Sequence, residues 1–408
     1  MYAGALEKMR KSGPRRMLAL DGGGIRGLIT IEILSRIEKL LSRGRPDFCL
    51  ADYFDYIAGT STGAVIGTLL SRGKKVDEIR SIYLQFGDMM FDKTKILGRV
   101  QSVKSKIPFR LPFGEDALKA VDAGTYYAKR WLGEREAYSE YPDEPLINKL
   151  REPGIIGGDD VRLGTDELRT LLLVVLHNVT LDSPWPVCNN PNSMHASRDR
   201  EIALWKLVRG STAAPLYFPP QEIEVEGRKF VFVDGGVTSY NNPAFQLFLH
   251  ATLKPYHLEW ATGERNMLIV SVGTGLHPNL QPNLREEDLH LLRSAKTASK
   301  ALFNAALYQQ DLLCRAFGRC RCGEVLDEEV GDLIDSSELV GSERLFSYVR
   351  YNATLTDAGL RELGVDPQIK AEDVRATDSV EHKAELQAIG RRVAEVTVRP
   401  EHFDGFSA

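Results

Sequence analysis

The stretch MLALDGGGIRGLIT, residues 17–30, decides how the chain begins to fold. An apolar run leads to one acid, then to four glycines within six residues, and then to a second apolar run. Residues 16–20 have the pattern of a short buried strand, and apolar residues recur at helical spacing from 29 to 41. The stretch therefore predicts a strand, a tight glycine turn and a helix that ends at Gly44.

Three of these glycines, Gly22, Gly24 and Gly27, satisfy the pattern G-x-G-x-x-G of dinucleotide-binding turns. Such a turn also requires an acidic residue about 20 positions further on, at the end of the second strand. The nearest candidate, Asp47, precedes the second predicted strand instead of following it. The pattern thus disfavours a nicotinamide or flavin site and leaves the purpose of the glycines open.

The strand, turn and helix pattern is repeated immediately downstream. Residues 53–59 predict a second strand and residues 61–73 a second helix, which together indicate a parallel α/β sheet. A helix followed by a turn is predicted within 201–220, and longer helices over 286–318 and 374–396. Further strands are predicted over 170–180, 227–236, 266–275 and 344–355.

The composition is that of a globular protein with no bulk attraction to nucleic acid. The 408 residues are 43% hydrophobic and carry a net charge of −4, which argues against a DNA or RNA polymer as partner. Five scattered cysteines fit a reducing compartment and match no familiar zinc spacing. The sequence begins without an apolar signal segment, and its longest apolar run, 171–176, is far shorter than the roughly 20 residues of a membrane span. We expect a cytoplasmic protein without metal or cofactor.

The second turn, GTSTG from Gly59 to Gly63, is a G-x-S-x-G motif between a predicted strand and a predicted helix. This context is that of a nucleophile elbow, in which small flanking residues let a strained turn expose the serine. The helix N-terminus that follows offers a positive dipole to developing negative charge. Ser61 is therefore the candidate nucleophile, with a helix-capping serine as the structural alternative.

A serine nucleophile requires a base. The histidines do not lie in obvious strand-end loops, and His177, at the end of an apolar strand, is the least unfavourable of them. The third glycine turn supplies a carboxylate instead, because Asp234, Gly235 and Gly236 follow the apolar strand KFVFV. A carboxylate within hydrogen-bond reach could take the serine proton directly, although Asp-Gly is also a common turn pair.

The motifs DGGGIRG, GTSTG and DGG, in this order, resemble the patatin-like phospholipase family. The segments GSTAAPLYFPP (210–220), DGGVTSYNNP (234–243) and VSVGTG (270–275) are similar to further blocks of that family. The resemblance covers about two thirds of the chain, from residue 16 to about 275. It implies a three-layer α/β sandwich with a mainly parallel central sheet. We expect a tail over 1–15, a catalytic domain over 16–285 and a helical C-terminal elaboration over 286–408 that packs on the same domain.

The resemblance implies lipid acyl hydrolysis by a serine–aspartate dyad without histidine. Ser61 then attacks the ester carbonyl and Asp234 is the base. The backbone N–H groups of Gly22, Gly23 and Gly24 form the oxyanion hole, and Arg26 either stabilises the same charge or holds the loop. The alternatives that remain are a histidine-triad serine esterase and a non-catalytic lipid-binding protein.

Residues 92–113 interleave six basic with six large apolar side chains, a mixture suited to anionic lipid and equally typical of a solvated lid. We expect peripheral contact with the inner face of a membrane. Some bacterial members of the family are antiphage effectors that cyclic oligonucleotides switch on, so such an activator is a further hypothesis. The oligomeric state is left open, with a homodimer among the options.

Overall fold

The computed structural model describes residues 2–90, 141, 143–215, 217–278, 291–334 and 343–406. For Phe86 and residues 291–303 the description covers the backbone. The described residues form a nine-stranded sheet. Its strands are β1 (Arg15–Leu20), β2 (Tyr56–Thr60), β3 (Leu171–Asn178), β4 (Ser183–Cys188), β5 (Gln221–Val225), β6 (Arg228–Asp234), β7 (Met267–Val272), β8 (Arg319–Cys322) and β9 (Ser347–Tyr351).

The sheet is mainly parallel, as the sequence predicted. The strand order is β5-β6-β3-β2-β1-β7-β9-β8, and β4 pairs with β3. The six strands β3, β2, β1, β7, β9 and β8 are parallel to one another. The pairs β3–β4, β3–β6 and β5–β6 are antiparallel. The two strands β8 and β9 come from the C-terminal third of the chain, and β4, β5 and β8 were not predicted from the sequence.

Helices cover both faces of the sheet. Those in the described residues are α1 (Ala3–Arg10), α2 (Gly27–Ser42), α3 (Leu50–Tyr53), α4 (Thr62–Ser71), α5 (Val76–Met90), α6 (Glu144–Leu150), α7 (Ala196–Asp199), α8 (Leu204–Ser211), α9 (Ala244–Thr252), α10 (Leu291–Phe317), α11 (Asp357–Leu363), α12 (Ala371–Val374) and α13 (Lys383–Thr397).

Alternate residues of the central strands enter two separate apolar cores. In β1, Leu18 and Leu20 join the core formed with α2, α4, α8 and α13. Met17 and Ala19 face the opposite way, into the core formed with α1, α9 and the end of α10. This period of two is what a strand buried on both faces requires. The result is three layers, with helices on each side of the sheet.

Two segments in the N-terminal part of the chain differ from the sequence prediction. The strand expected over 53–59 begins only at Tyr56, because residues 50–53 form the helical turn α3. Asp52 stabilises that turn by accepting a hydrogen bond from the Cys49 N–H at 2.9 Å. The segment 1–15, expected as a tail, contains helix α1, whose Ala5 is fully buried.

The C-terminal helix expected from residue 374 begins only at Lys383. Residues 375–379 instead cross the glycine turn, where the Thr377 carbonyl accepts a hydrogen bond from the Ile25 N–H at 2.8 Å. Helix α13 then packs along α2, and Gly390 lies so close that a Cβ there would be 2.8 Å from the Ile29 carbonyl oxygen.

The basic and apolar segment 92–113 lies outside the described residues. In the part of the chain that the structure describes, no helix combines the length and the apolar character needed to cross a bilayer.

Candidate active site

The site lies at a break in the sheet, where two strands meet end to end along one edge of β3. Strand β2 pairs with β3 as far as Thr60 opposite Val175, and β6 continues from Asp234 opposite Leu176. Strand β4 runs beside β3 across both stretches, so it occupies the other edge. Because a strand has only two edges, β2 and β6 lie one after the other along the edge of β3 that β4 does not occupy. The turns that follow Thr60 and Asp234 are therefore brought together.

Ser61 and Asp234, 173 positions apart, form a hydrogen bond at this break. The Ser61 hydroxyl donates to Asp234 Oδ2 at 2.6 Å. The second carboxylate oxygen, Oδ1, accepts the Gly236 N–H at 2.7 Å. The Asp234 N–H donates to the Ala213 carbonyl at 3.0 Å, which fixes the end of β6. Both oxygens of the carboxylate are thus oriented, and one of them points at the candidate nucleophile.

The Ser61 turn is strained. Its φ of 54° and ψ of −122° lie in a region that L-residues rarely adopt. Two close approaches of glycines hold the turn in place. A Cβ on Gly63 would lie 2.1 Å from the Leu20 carbonyl oxygen, and one on Gly59 would lie 2.1 Å from the Gly63 oxygen. These distances explain why the motif requires glycine at both positions.

Ser211 supports the turn, a role that the sequence reasoning did not assign. Its hydroxyl accepts the Ser61 N–H at 2.9 Å and donates to the Val175 carbonyl at 2.6 Å. Ser211 ends helix α8 and is fully buried. It thus ties the strained serine to β3 at the sheet break. The sequence feature that points to this position is the small-residue segment 210–220, which contains Ser211.

Burial raises the pKa of Asp234 to about 6. The hydrogen bonds from Ser61 and Gly236 and the positive charge of Arg209 oppose this shift and keep it moderate. Arg209 is itself fully buried on α8, where it donates to Asp143 and to the Pro219 carbonyl. At neutral pH the Asp234 carboxylate is therefore mostly ionised and still basic enough to accept a proton.

The glycine turn after β1 lies against Ser61, but its three N–H groups are not equivalent. The expectation that all three are free donors is wrong for Gly22, whose N–H donates to the Asn241 carbonyl at 3.1 Å. Those of Gly23 and Gly24 have no acceptor among the described residues and belong to the cavity wall. Gly24 has a left-handed φ of 58°, and its carbonyl accepts the Thr62 hydroxyl at 2.8 Å.

Arg26 is buried beside this turn, with 5% of its surface exposed. Its Nη1 donates to the Arg375 carbonyl at 3.3 Å, and its Nε has no acceptor among the described residues. Burial lowers the pKa of Arg26 to about 10, so the guanidinium remains charged at neutral pH. It lines the cavity and also contacts the segment that crosses the turn.

A cavity of about 600 Å³ opens above the Ser61 hydroxyl. Its polar floor contains Ser61, Asp234, Gly23, Gly24 and Asn241. Seven apolar or aromatic side chains contribute to the remaining wall beside polar residues such as Arg26 and His277, namely Met90, Pro215, Tyr217, Phe218, Val237, Leu276 and Leu307. A polar floor with apolar walls suits a ligand that has one reactive polar group and a hydrocarbon portion.

No histidine of the described residues forms a hydrogen bond with Ser61 or Asp234. His177 lies 3.7 Å from Asp182, which belongs to the turn between β3 and β4. His250 is buried against Tyr256, and burial lowers its pKa to about 3. Among the described histidines, His277 contributes to the cavity wall.

The fold and this geometry define an α/β protein with a serine on a strand-to-helix turn and a carboxylate as its direct partner. The family model described as patatin-like phospholipase matches residues 18–248, more than half of the chain. The chain therefore belongs to the patatin-like phospholipase family, as the three sequence motifs indicated.

Several individual proteins are similar to the chain. A cGAMP-activated phospholipase of Escherichia coli (strain TW11681) is 27% identical over 272 residues, which cover 66% of this chain and 65% of that protein. A cUMP-AMP-activated phospholipase of Escherichia coli is 28% identical over 286 residues, which cover 69% of each chain. Patatin-like protein 4 of Arabidopsis thaliana is 30% identical over 281 residues, which cover 64% of this chain and 59% of that protein. The chain thus spans slightly less than two thirds of the first of these relatives.

Proposed function

We propose that this protein is a lipid acyl hydrolase that cleaves the carboxylic esters of phospholipids. The observation that carries the proposal is the 2.6 Å hydrogen bond from Ser61 to Asp234 at the floor of a cavity with apolar walls. Membership of the patatin-like phospholipase family and the phospholipase names of two bacterial relatives support the substrate class.

The first half of the reaction forms an acyl-enzyme. The Ser61 hydroxyl attacks the ester carbonyl carbon while its proton passes to Asp234 Oδ2, which makes a tetrahedral intermediate with a negative oxygen. The intermediate then collapses and breaks the bond to the leaving alcohol. Asp234 returns the proton to that alcohol oxygen, so the lysophospholipid leaves neutral at this position and the acyl group stays on Ser61.

The second half releases the fatty acid. Asp234, again ionised, takes a proton from a water molecule whose oxygen attacks the acyl carbonyl. Collapse of the second tetrahedral intermediate breaks the bond to Ser61 Oγ, which regains the proton from Asp234. The same carboxylate thus serves in both halves, for which a pKa of about 6 is well suited.

The N–H groups of Gly23 and Gly24 are the proposed donors to the negative oxygen. Both line the cavity, and neither has another acceptor among the described residues. Gly22 contributes space and not a donor, because its N–H is bound to Asn241. Loss of one such donor typically lowers the rate on the order of 10²- to 10³-fold. Arg26 adds positive charge to the same wall.

Release of fatty acid from phospholipid vesicles tests the proposal. We expect Ser61→Ala and Asp234→Asn to reduce hydrolysis about 10³-fold or more while the fold is retained. Ser81→Ala, on the exposed side of α5, is the matched control and should not change the rate. His177→Ala and His277→Ala should also leave activity in place. Loss of activity in either histidine variant would support the histidine-triad esterase, and vesicle binding without hydrolysis would support the non-catalytic alternative.

We further propose that a cyclic dinucleotide activates the enzyme and that it acts on the inner face of a bacterial membrane as a defence effector. Two relatives carry the names cGAMP-activated and cUMP-AMP-activated phospholipase. Addition of either nucleotide should raise the hydrolysis rate at least about tenfold, the size of a 1.4 kcal/mol coupling free energy. An unchanged rate with both nucleotides would exclude these activators.

The segment 92–113 is the proposed contact with anionic lipid, since each basic residue near such a surface contributes about 1 kcal/mol. Charge reversal at Lys104 and Lys106 should lower sedimentation with anionic liposomes, and neutral liposomes are the control. A homodimer stays one option for the oligomeric state, and sedimentation velocity tests it. The boundaries 16–285 and 286–408 remain the proposed catalytic domain and its C-terminal elaboration.

A further inference from the structure

We infer that Arg350 is a positioning residue for the glycine turn, which it orients through the buried carboxylate of Asp21. The inference rests on the proposed function, because the turn is the proposed oxyanion hole. Arg350 lies on β9, beyond the residues 18–248 that the family model matches. It would make the geometry of the catalytic turn depend on the C-terminal third of the chain.

Asp21 and Arg350 form a two-pronged ion pair inside the molecule. Arg350 Nη1 donates to Asp21 Oδ1 at 2.9 Å, and Nη2 donates to Asp21 Oδ2 at 2.6 Å. The two residues are 2% and 5% exposed. Burial by itself raises the pKa of Asp21, and the Arg350 charge opposes that shift. The planar fork of arginine matches both carboxylate oxygens at once, which fixes direction as well as distance.

Asp21 transmits this constraint directly to the turn, because it is the residue between the end of β1 and Gly22. Its backbone N–H donates to the Val272 carbonyl at 3.1 Å, so both its backbone and its side chain are tied to neighbouring strands. The next carbonyl, that of Gly22, accepts the Thr274 hydroxyl at 2.8 Å. A rotation of the Asp21 side chain would therefore displace the backbone that carries the Gly23 and Gly24 N–H groups.

Arg350 also reaches the other side of the site. Its Nη1 donates to the Ser271 hydroxyl at 2.7 Å, and that hydroxyl donates to Asn242 Oδ1 at 3.2 Å. The neighbouring residue Asn241 is the one whose carbonyl holds the Gly22 N–H. One guanidinium thus connects the acid before the turn with the Asn-Asn-Pro segment that follows Asp234.

The test separates positioning from a purely structural role. The variants are Arg350→Met, Arg350→Lys and the double variant Asp21→Asn/Arg350→Met, which removes both charges and leaves no buried ion alone. The matched control is Arg80→Met, which breaks another two-pronged pair, the one that joins α5 to the buried carboxylate of Glu32 on α2. The measurements are the unfolding midpoint, kcat and KM for a short-chain p-nitrophenyl ester, and the rate at which a fluorophosphonate labels Ser61.

We expect Arg350→Met to lower kcat and the labelling rate about 10- to 100-fold with KM nearly unchanged, since displaced donors affect the transition state more than binding. Arg350→Lys should recover part of the loss. The double variant should regain the unfolding midpoint but not kcat. Arg80→Met should lose stability and keep kcat.

The inference is overturned if folded Arg350→Met keeps kcat within about twofold of the unchanged protein. It is also overturned if the double variant recovers kcat together with the unfolding midpoint. A protein that is labelled at Ser61 but hydrolyses no ester would contradict the proposed function alone, and the labelling rates of the variants would still decide the role of Arg350. A protein that is neither labelled nor active would overturn both.

Discussion

Ser61 and Asp234 lie side by side at the sheet break, but different free-energy penalties oppose their positions there. Ser61 has a φ of 54° and ψ of −122°, so its cost is conformational. Asp234 has an ordinary φ of −50° and ψ of 132°. Its penalty is electrostatic, because its carboxylate must be ionised in a place from which water is largely excluded. The comparison teaches that one hydrogen-bonded pair can combine a locally strained residue with a relaxed but desolvated one.

The surroundings of the two residues differ accordingly. The Ser61 turn is held by close backbone approaches, above all that of Gly63 to the Leu20 carbonyl, and by the hydroxyl of Ser211. Asp234 is held by the hydrogen bond that its backbone N–H donates to the Ala213 carbonyl and by the one that its carboxylate accepts from the Gly236 N–H. Substitutions that add bulk should therefore disturb the Ser61 turn most. Changes of pH should act mainly on the Asp234 carboxylate.

The pH dependence of activity should show the largest effect. Burial raises the pKa of Asp234 to about 6, and only the ionised form accepts the Ser61 proton. We expect kcat/KM for a neutral ester to fall about tenfold for each pH unit below 6, hence about 100-fold at pH 4. Circular dichroism across the same range controls for unfolding. A rate that stays constant down to pH 4.5 in folded protein would contradict the role of Asp234 as base.

Gly63→Ala should give the next largest effect, because the added Cβ would lie 2.1 Å from the Leu20 carbonyl oxygen. The turn must then shift away from β1, and we expect the free energy of unfolding to decrease by about 3 kcal/mol. Denaturant unfolding measures the change. The control is Gly154→Ala, where no atom lies within 4 Å of an added Cβ. Equal effects of the two substitutions would show that the turn is not closely packed.

Asp234→Asn should stabilise the folded protein at high pH. Because the folded-state pKa is raised from 3.8 to about 6, folding is penalised once pH rises through this interval and fully so above it. Removal of the charge should therefore raise the free energy of unfolding by about 3 kcal/mol at pH 8 and by much less at pH 4. Unfolding at both pH values measures this, with Asp47→Asn, at an exposed site, as control. Destabilisation at pH 8 would mean that the carboxylate is better solvated than its burial implies.

The smallest effect concerns the strain at Ser61 itself. Since glycine tolerates positive φ, Ser61→Gly should be more stable than Ser61→Ala by about 1 kcal/mol. Both variants lack the hydroxyl, so thermal unfolding compares them without a difference in catalytic group. At Ser81, within the regular helix α5, the order should reverse because alanine favours helices. The same order at both positions would argue against strain in the Ser61 turn.

The sequence predicted the local units well, since each depends on neighbours in the chain. The apolar run 16–20, the glycines and the helical spacing after them specify β1, its turn and α2 within a few residues. The G-x-S-x-G motif likewise specifies the strained serine turn. Predictions failed where a tertiary contact competes with the local pattern, as at residues 375–379, which cross the glycine turn instead of continuing a helix.

The sequence by itself determined the family, the central strands and the identity of the three turns, because periodicity and glycine requirements are local. The tertiary structure alone decided how the turns meet. Strand β6 is antiparallel to β3, so Asp234 reaches Ser61 only because β6 abuts β2 at the sheet break. It also decided that Gly22 is not a free donor and that Arg350, 329 positions from Asp21, reaches its carboxylate. Such contacts depend on strand pairing across the whole chain, which no stretch of neighbouring residues encodes.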